Sequence, residues 1–477
     1  MPAACGGPGS GPVDISVIGT EPDLSPIGLR RVPVAGYGVI AATRAGLVGF
    51  DAEGRLIPAL AERWVVTDDG QGYIFRLRDG QWSDGSPIAA PDVAAALRRA
   101  LAAARGNGLG PDLAGIRDVR VMARRVIEID LDAPQPDLLS LLAQPELAVA
   151  VGARAQHHAG PMEIRRDHDH WSATLGSATL GSATLVPSSA SGHALALRFQ
   201  SAQDAVARFA TGKADLVLGG TFDSLPLATR VAMARGNFQF DPVAGLFGLD
   251  IVAVRGFLAD PANREAVAMA IDRDALASAF GVGGWSATTR IVSAGLDGDN
   301  GAVGERWVDQ TLDQRRAVAA SRVKAWKGAP VLVLALPDGP GADILFQRLR
   351  TDLAAIGITL TRAAPDEAAD LALIDSVARY PRARWFLERL GCAAHPQVCN
   401  ADGDASVQAA IHAGDANAAA RLFAQAEAQI TAANGFIPLA RPLRWSLVRG
   451  TVSGFSLNPW GWHPLPPLAG AEVSNPN

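Results

Sequence analysis

The chain has 477 residues, 48% of them hydrophobic and 19% charged, with a net charge of −5. At about 150 residues per domain this is too long for one core and points to two to four domains, and the apolar fraction excludes a disordered chain. No run of about 18 consecutive apolar residues occurs, which argues against a membrane-spanning helix, and the dispersed basic residues argue against a nucleic-acid binder.

Residues 1–12, rich in Gly, Pro and Ser, read as a flexible tether. Val13 to Ile18 is a short strand closed by Gly19-Thr20-Glu21-Pro22. Leu47 to Phe50 leads into the turn Asp51 to Gly54. Trp64 to Val66 and Tyr73 to Leu77 flank Thr67 to Gly72, and the alternation in Phe75-Arg76-Leu77 predicts a β-hairpin. Pro91 and Asp92 open a helix, where proline loses no needed hydrogen bond and the carboxylate favours the positive helix end. Val93, Leu97 and Leu101 then repeat along one face. Val119–Val121 and Val126–Leu131 predict another hairpin, and Pro136 to Leu142 a short helix. Residues 172–185 hold Ser-Ala-Thr-Leu-Gly repeated almost three times. Its period of five fits neither helix nor strand and reads as an expanded loop.

Beyond the repeat, Ala194–Phe199 is a strand, Gln203–Ala210 a helix and Ala214–Leu218 a strand. Arg264 to Phe280 reads as one helix with Val267, Ile271, Leu276 and Phe280 inward. Val331 to Leu336 is continuously apolar, as a strand buried on both faces would be. Leu345, Leu349, Leu353 and Ile356 form a helical stripe, and Ile358–Leu360 and Leu371–Ile374 are strands. Ala418–Ala432 is a late helix, and Ile437 to Val448 returns to extended chain. Strands alternating with helices in two regions, with hairpins nearer the N-terminus, predict α/β architecture in at least two lobes.

Candidate chemistry is sparse. Cys392 and Cys399 bracket six residues rich in turn formers; they are either a disulfide closing a short loop, which implies an oxidising compartment, or two unrelated thiols. Asp167-His168-Asp169-His170 is the densest group of metal-capable side chains. His168 and His170 would share a face only on a strand, and a solvated turn is the preferred reading, so no metal site is expected. Ser321-Arg322-Val323-Lys324 matches an S-x-x-K pattern without its partner motifs and reads as an exposed helix. With no H-E-x-x-H, no phosphate-binding glycine loop and no G-x-S-x-G, no enzyme activity and no cofactor are expected. Cys5, in Pro2-Ala3-Ala4-Cys5-Gly6-Gly7, resembles the cleavage box of a bacterial lipoprotein and is the expected lipidation site, although the charged and apolar regions of a signal do not precede it in this chain.

A more specific resemblance runs through Leu47-Val-Gly-Phe-Asp51, Ile57 to Trp64, Tyr73 to Gly80, Trp82-Ser-Asp-Gly85 and Pro91-Asp-Val93. In order, spacing and residue type these resemble the signature of solute-binding proteins of family 5, the extracytoplasmic receptors of ATP-binding-cassette importers for dipeptides, oligopeptides and nickel. Gly212-Lys-Ala-Asp215, Ala270-Ile-Asp-Arg273, Ile356-Gly-Ile358 and Ile437-Pro-Leu439 agree more loosely, so the resemblance covers residues 15–460. It implies a type II periplasmic-binding-protein-like fold: two α/β lobes with an inserted β-rich subdomain. Domain I would comprise residues 13–38, 187–246 and 438–477, domain II residues 39–186 and domain III residues 247–437. The ligand would lie between domains I and III, which would close about hinges.

One stretch departs from the family pattern. Peptide-binding members carry a motif resembling Asp-Trp-x-x-Asp-Tyr, whose second acid pairs with the peptide ammonium. Here the stretch reads Asp375-Ser-Val-Ala-Arg379-Tyr380, with Arg382 and Arg384 following. A guanidinium stays charged at neutral pH and repels an ammonium, at a cost of several kcal/mol in a closed cleft. The departure favours an anion-bearing ligand or a member that no longer binds peptides; a shifted register or a solvent-facing arginine is the alternative. The expected ligand-binding residues are Glu21, Arg379, Tyr380, Arg382 and Trp385. For each a plainer role stays open: a turn acid for Glu21, a strand cap for Tyr380, core for Trp385. The resulting expectation is a monomeric, periplasmic, membrane-anchored receptor that passes a small molecule to an ABC permease. The alternative is a sensor or scaffold that keeps the fold and contacts a membrane partner.

Overall fold

A computed structural model describes residues 12–23, 32–105, 108–152, 155–165, 182–188, 192–234 and 236–470. Cys5, His168 and His170 lie outside the described residues, as does most of the five-residue repeat. The end of the repeat opens the strand Ser182–Pro187, which pairs antiparallel with Leu195–Gln200. The chain forms two compact units, one drawn from residues 1–220, 230–242 and 444–477, the other from 221–229 and 243–443.

The first unit contains a seven-stranded sheet ordered Phe238–Phe240, Arg444–Val448, Leu216–Thr221, Val13–Ile18, Leu195–Gln200, Ser182–Pro187 and Met162–Arg165. Val13–Ile18 runs parallel to both Leu195–Gln200 and Leu216–Thr221. Ile15, Val17, Leu197, Phe199 and Leu216 from these strands pack with Val39 and Leu465 into one core. Ser16 is fully buried among them, and its oxygen accepts a hydrogen bond from the Gln200 side chain at 3.0 Å, which meets the cost of burying a hydroxyl there.

A four-stranded antiparallel sheet follows the order Ala61–Val66, Gly72–Leu77, Val126–Leu131, Ile116–Ala123. Both expected hairpins are present. Phe75, Leu77, Ile127, Ile129 and Leu131 are buried on its inner face, while Arg76 points out. The helix Ala90–Ala104 packs here with Pro91 in its first turn and Val93 and Leu97 fully buried. Each such aliphatic side chain contributes about 1.5–3 kcal/mol over leaving it in water.

The second unit is built on a mixed five-stranded sheet ordered Thr359–Ala363, Val331–Ala335, Leu371–Val377, Gly245–Ile251 and Phe436–Ala440. Gly245–Ile251 is buried along its whole length. Glycine is required at its start, since a Cβ on Gly245 would stand 2.0 Å from the Ser376 carbonyl oxygen. Val331–Ala335 departs from the expectation of burial on both faces: Leu332 and Leu334 are buried, but Val331 is 58% exposed.

The single helix expected from Arg264 to Phe280 is two helices, Pro261–Ala270 and Arg273–Ala279. The break comes from local capping and a tertiary demand. The Asp272 carboxylate accepts the Ala275 amide at 3.0 Å and starts a new helix. Buried Arg273 turns inward and donates to the carbonyls of Pro438, at 2.8 Å, and Ala268, at 3.0 Å. With no carboxylate bonded to it among the described residues, burial pulls its pKa down to about 9.

A buried ion triad ties the C-terminal helix Ala416–Ala433 to the loop around 290–300. Arg290 contacts Glu427 and Asp299, each at 2.9 Å, and the three side chains are only 7%, 3% and 6% exposed.

Candidate functional site

Four of the five expected ligand residues follow the strand Leu371–Val377 directly. Its register pairs Asp375 with Phe247 and Val377 with Gly245, and the Ala378 amide continues the ladder to the Ala244 carbonyl at 2.8 Å. The chain then leaves the sheet at Arg379, which is half-buried. Tyr380 is 1% exposed, and its hydroxyl donates to Glu388 at 3.3 Å. Arg382 is the N-cap of the helix Ala383–Arg389, and its guanidinium pairs with Asp297. The Asp297 carbonyl also accepts the Ala383 amide at 2.9 Å, so both ends of this residue anchor the helix start.

This geometry redistributes the positive charge seen in the sequence. Arg384 pairs with Glu388 at 2.9 Å, one helical turn on, as Arg382 does with Asp297. Arg382 and Arg384 therefore each carry a local carboxylate. Such partly exposed pairs are worth about 0–1 kcal/mol to stability, yet they offset the field a ligand would feel. Trp385 is 1% exposed, edge-on to Phe386 with ring centres 5.1 Å apart and with the Arg389 guanidinium 5.3 Å from its ring. It stands as a core residue here, and its indole N–H has no acceptor among the described residues. Glu21 belongs to the first unit and is half-buried three residues past the strand Val13–Ile18.

Just beyond the helix, Cys392 and Cys399 form a disulfide, S–S 2.07 Å. Inside its loop His395 donates from Nε2 to the Arg389 carbonyl at 3.0 Å, which leaves Nδ1 facing Asp250 at 3.3 Å. Burial raises the Asp250 pKa, with the imidazole opposing. Sequence reasoning missed Asp297 and Glu388 as partners of the arginines. For Glu388 the i,i+4 spacing from Arg384 was a usable signal. Asp297 lies 85 residues from Arg382 and left none.

The serine of the S-x-x-K pattern is an ordinary surface group. Ser321 sits exposed on the helix Leu312–Ala325 and donates to the Val318 carbonyl at 2.7 Å, with no base at its oxygen among the described residues. His157 faces Asp84 at 3.6 Å. Among the described residues no three His, Cys, Asp or Glu side chains come together as a metal site would need, and no helix is long and apolar enough to cross a membrane.

Residues 55–175 and 192–392 match the model of the bacterial extracellular solute-binding proteins, family 5 (middle). The chain belongs to this family. The probable deoxycholate-binding periplasmic protein YgiS of Escherichia coli is 37% identical over 145 residues, 27% of this chain and 25% of that protein. The matched segment thus spans about a quarter of that curated relative's length. Likeness of structure extends further. The murein tripeptide binding protein MppA of Escherichia coli superposes with a TM-score of 0.80 at 16% identity, covering 95% of this chain and 97% of the other. AgaA of A. tumefacien R10, solved with agropinic acid, superposes at 0.74 and 18% identity over 98% of both chains. Family 5 membership and these superpositions establish the type II periplasmic-binding-protein fold, with the hairpin signature of residues 57–85 inside the matched region.

Proposed function

We propose that this protein is an extracytoplasmic solute-binding receptor that delivers a small molecule to an ABC permease, without covalent chemistry. The observation that carries the reading is the family 5 match over 55–175 and 192–392, joined to a fold shared with solute receptors over most of the chain. Binding energy, rather than a catalytic group, is what such a scaffold supplies, and the ligand stabilises whichever conformation it contacts best. Lipidation at Cys5 and a periplasmic location belong to the same reading.

The ligand we infer carries an anionic group, with Glu21, Arg379, Tyr380 and Arg382 in or beside its site. Support comes from Arg379, a permanent cation at the position where peptide-binding members place the acid for an ammonium. The agropinic acid found with AgaA is consistent with an acidic ligand on this fold. Arg382 and Arg384 pair with Asp297 and Glu388, which offsets their charge where they stand. The test is native mass spectrometry of the purified protein, followed by a thermal-shift screen of organic acids and short peptides, since a ligand bound only by the folded form raises the melting temperature. An organic acid that shifts the wild type, and does so less in Arg379→Met, is the expected result. A peptide bound at micromolar affinity through a free ammonium overturns the ligand class. No retained or screened solute at all overturns the receptor reading.

A further inference from the structure

The first unit holds a cavity of about 580 Å³ whose walls come from residues between Ala41 and Pro467 of that unit alone. Small-molecule pockets typically enclose about 300–1,000 Å³, mostly apolar with a few placed polar groups, and this one has that composition. Phe50, Trp82 and Trp462 are large apolar walls. Phe50 and Trp462 pack edge-on with ring centres 6.2 Å apart, so that side is a rigid aromatic surface.

The lining carries charges of both signs. Arg44, Arg78, His158, Glu62 and Glu163 all line the cavity. Glu62 is already committed to Arg76 at 2.7 Å and to Arg125 at 3.5 Å. Arg44 is 6% exposed. Arg78 makes one hydrogen bond among the described residues, to the Ala159 carbonyl at 3.3 Å, and no ion pair. Burial, and then the charge of Arg44, lowers the His158 pKa, so the imidazole is neutral at physiological pH and acts as a polar group rather than a third cation. Burial also lowers the pKa of both arginines from a value so high that they remain cations.

Trp82 and Trp462 are 3% and 6% exposed, and neither indole N–H has an acceptor among the described residues. A buried donor left unmade costs about 1–3 kcal/mol.

We propose that this cavity is a binding site for a small amphipathic organic anion, its acidic group read by Arg44 and Arg78 and its apolar body packed on Phe50, Trp82 and Trp462. The site is separate in residues from those named for the transported solute and does not depend on the transport reading.

Isothermal titration calorimetry on the full chain, with indole-3-acetate and decanoate as probes and indole-3-acetamide as the uncharged control, tests it. Saturable one-to-one binding of at least one acid is expected, weakened about tenfold or more in Arg78→Met, as loss of a charge-assisted contact implies. The amide should bind weaker by a similar factor, and Arg379→Met should leave the affinity unchanged. No saturable binding, equal affinity for acid and amide, or an affinity insensitive to Arg78→Met in a folded variant overturns the proposal. Should Arg78→Met not fold, hydrogen exchange on the wild type decides. Acid-induced protection at 41–50 and 156–163 supports the site, and protection confined to 243–443 refutes it.

Discussion

Replacing Glu427 by alanine exposes how the second unit balances buried charge. In the native fold Glu427 accepts from Arg290 at 2.9 Å and from the Val292 amide at 3.0 Å. Removing one partner of a buried pair costs about 3–5 kcal/mol, because the remaining ion stays desolvated. Asp299 still contacts Arg290 and pulls the figure toward the lower end. The stranded Val292 amide adds about 1–3 kcal/mol. A net loss of about 3–5 kcal/mol follows. At about 2–4 °C per kcal/mol for a body of 150–250 residues, the melting transition of this unit should fall by about 6–20 °C.

Urea denaturation gives the total, and hydrogen exchange along Ala416–Ala433 localises it. The Arg290→Ala/Glu427→Ala pair should lie about 1–3 kcal/mol closer to wild type than the sum of the single variants. A loss under about 1 kcal/mol for Glu427→Ala, with helix protection unchanged, would refute the argument that this charge is held only by its partners.

Two further outcomes follow, one from the same contacts and one from the first unit. Burial outweighs the Arg290 hydrogen bonds and raises the Glu427 pKa above its ordinary value. The folded carboxyl therefore keeps its proton to higher pH than the unfolded one, and its share of stability falls as pH rises from the ordinary glutamate range through the raised pKa. Glu427→Gln should remove that slope in urea titrations run across the window, and an unchanged slope would assign it to other groups. In the first unit, a Cβ on Gly220 would stand 2.1 Å from the ring of Trp445, itself 1% exposed. Gly220→Ala should cost about 1–3 kcal/mol through overpacking, read by calorimetry, whereas a neutral effect would mean that the ring moves freely.

The legible parts of this protein were those whose cause is local. Alternation in Phe75-Arg76-Leu77 placed the first hairpin, and Val93, Leu97 and Leu101 placed the helix that packs near it, because a period of two or of nearly four fixes which side chains share a face. The signature of residues 47–93 led to family 5 for the same reason: its residue types recur at fixed spacing along the chain. The turn-rich spacing of Cys392 and Cys399 made a bridge one of two readings, and the structure contains it.

Other features were decided by residues far apart in sequence. The break at Ile271–Asp272 combines the local Asp272 cap with Arg273 reaching the carbonyl of Pro438, 165 residues on, and helical periodicity through 264–280 does not register the second cause. The charge at 379–384 looked uniformly positive until Asp297 came to Arg382. Trp385 carries no local mark that separates a ligand platform from core, and packing against Phe386 and Arg389 made it core. The cavity of the first unit gathers Arg44, Arg78, His158 and Trp462 from distant segments. Backbone periodicity is written in neighbouring residues, whereas burial and charge pairing are set by whichever side chains the folded chain brings within a few ångströms, and only the tertiary structure specifies those.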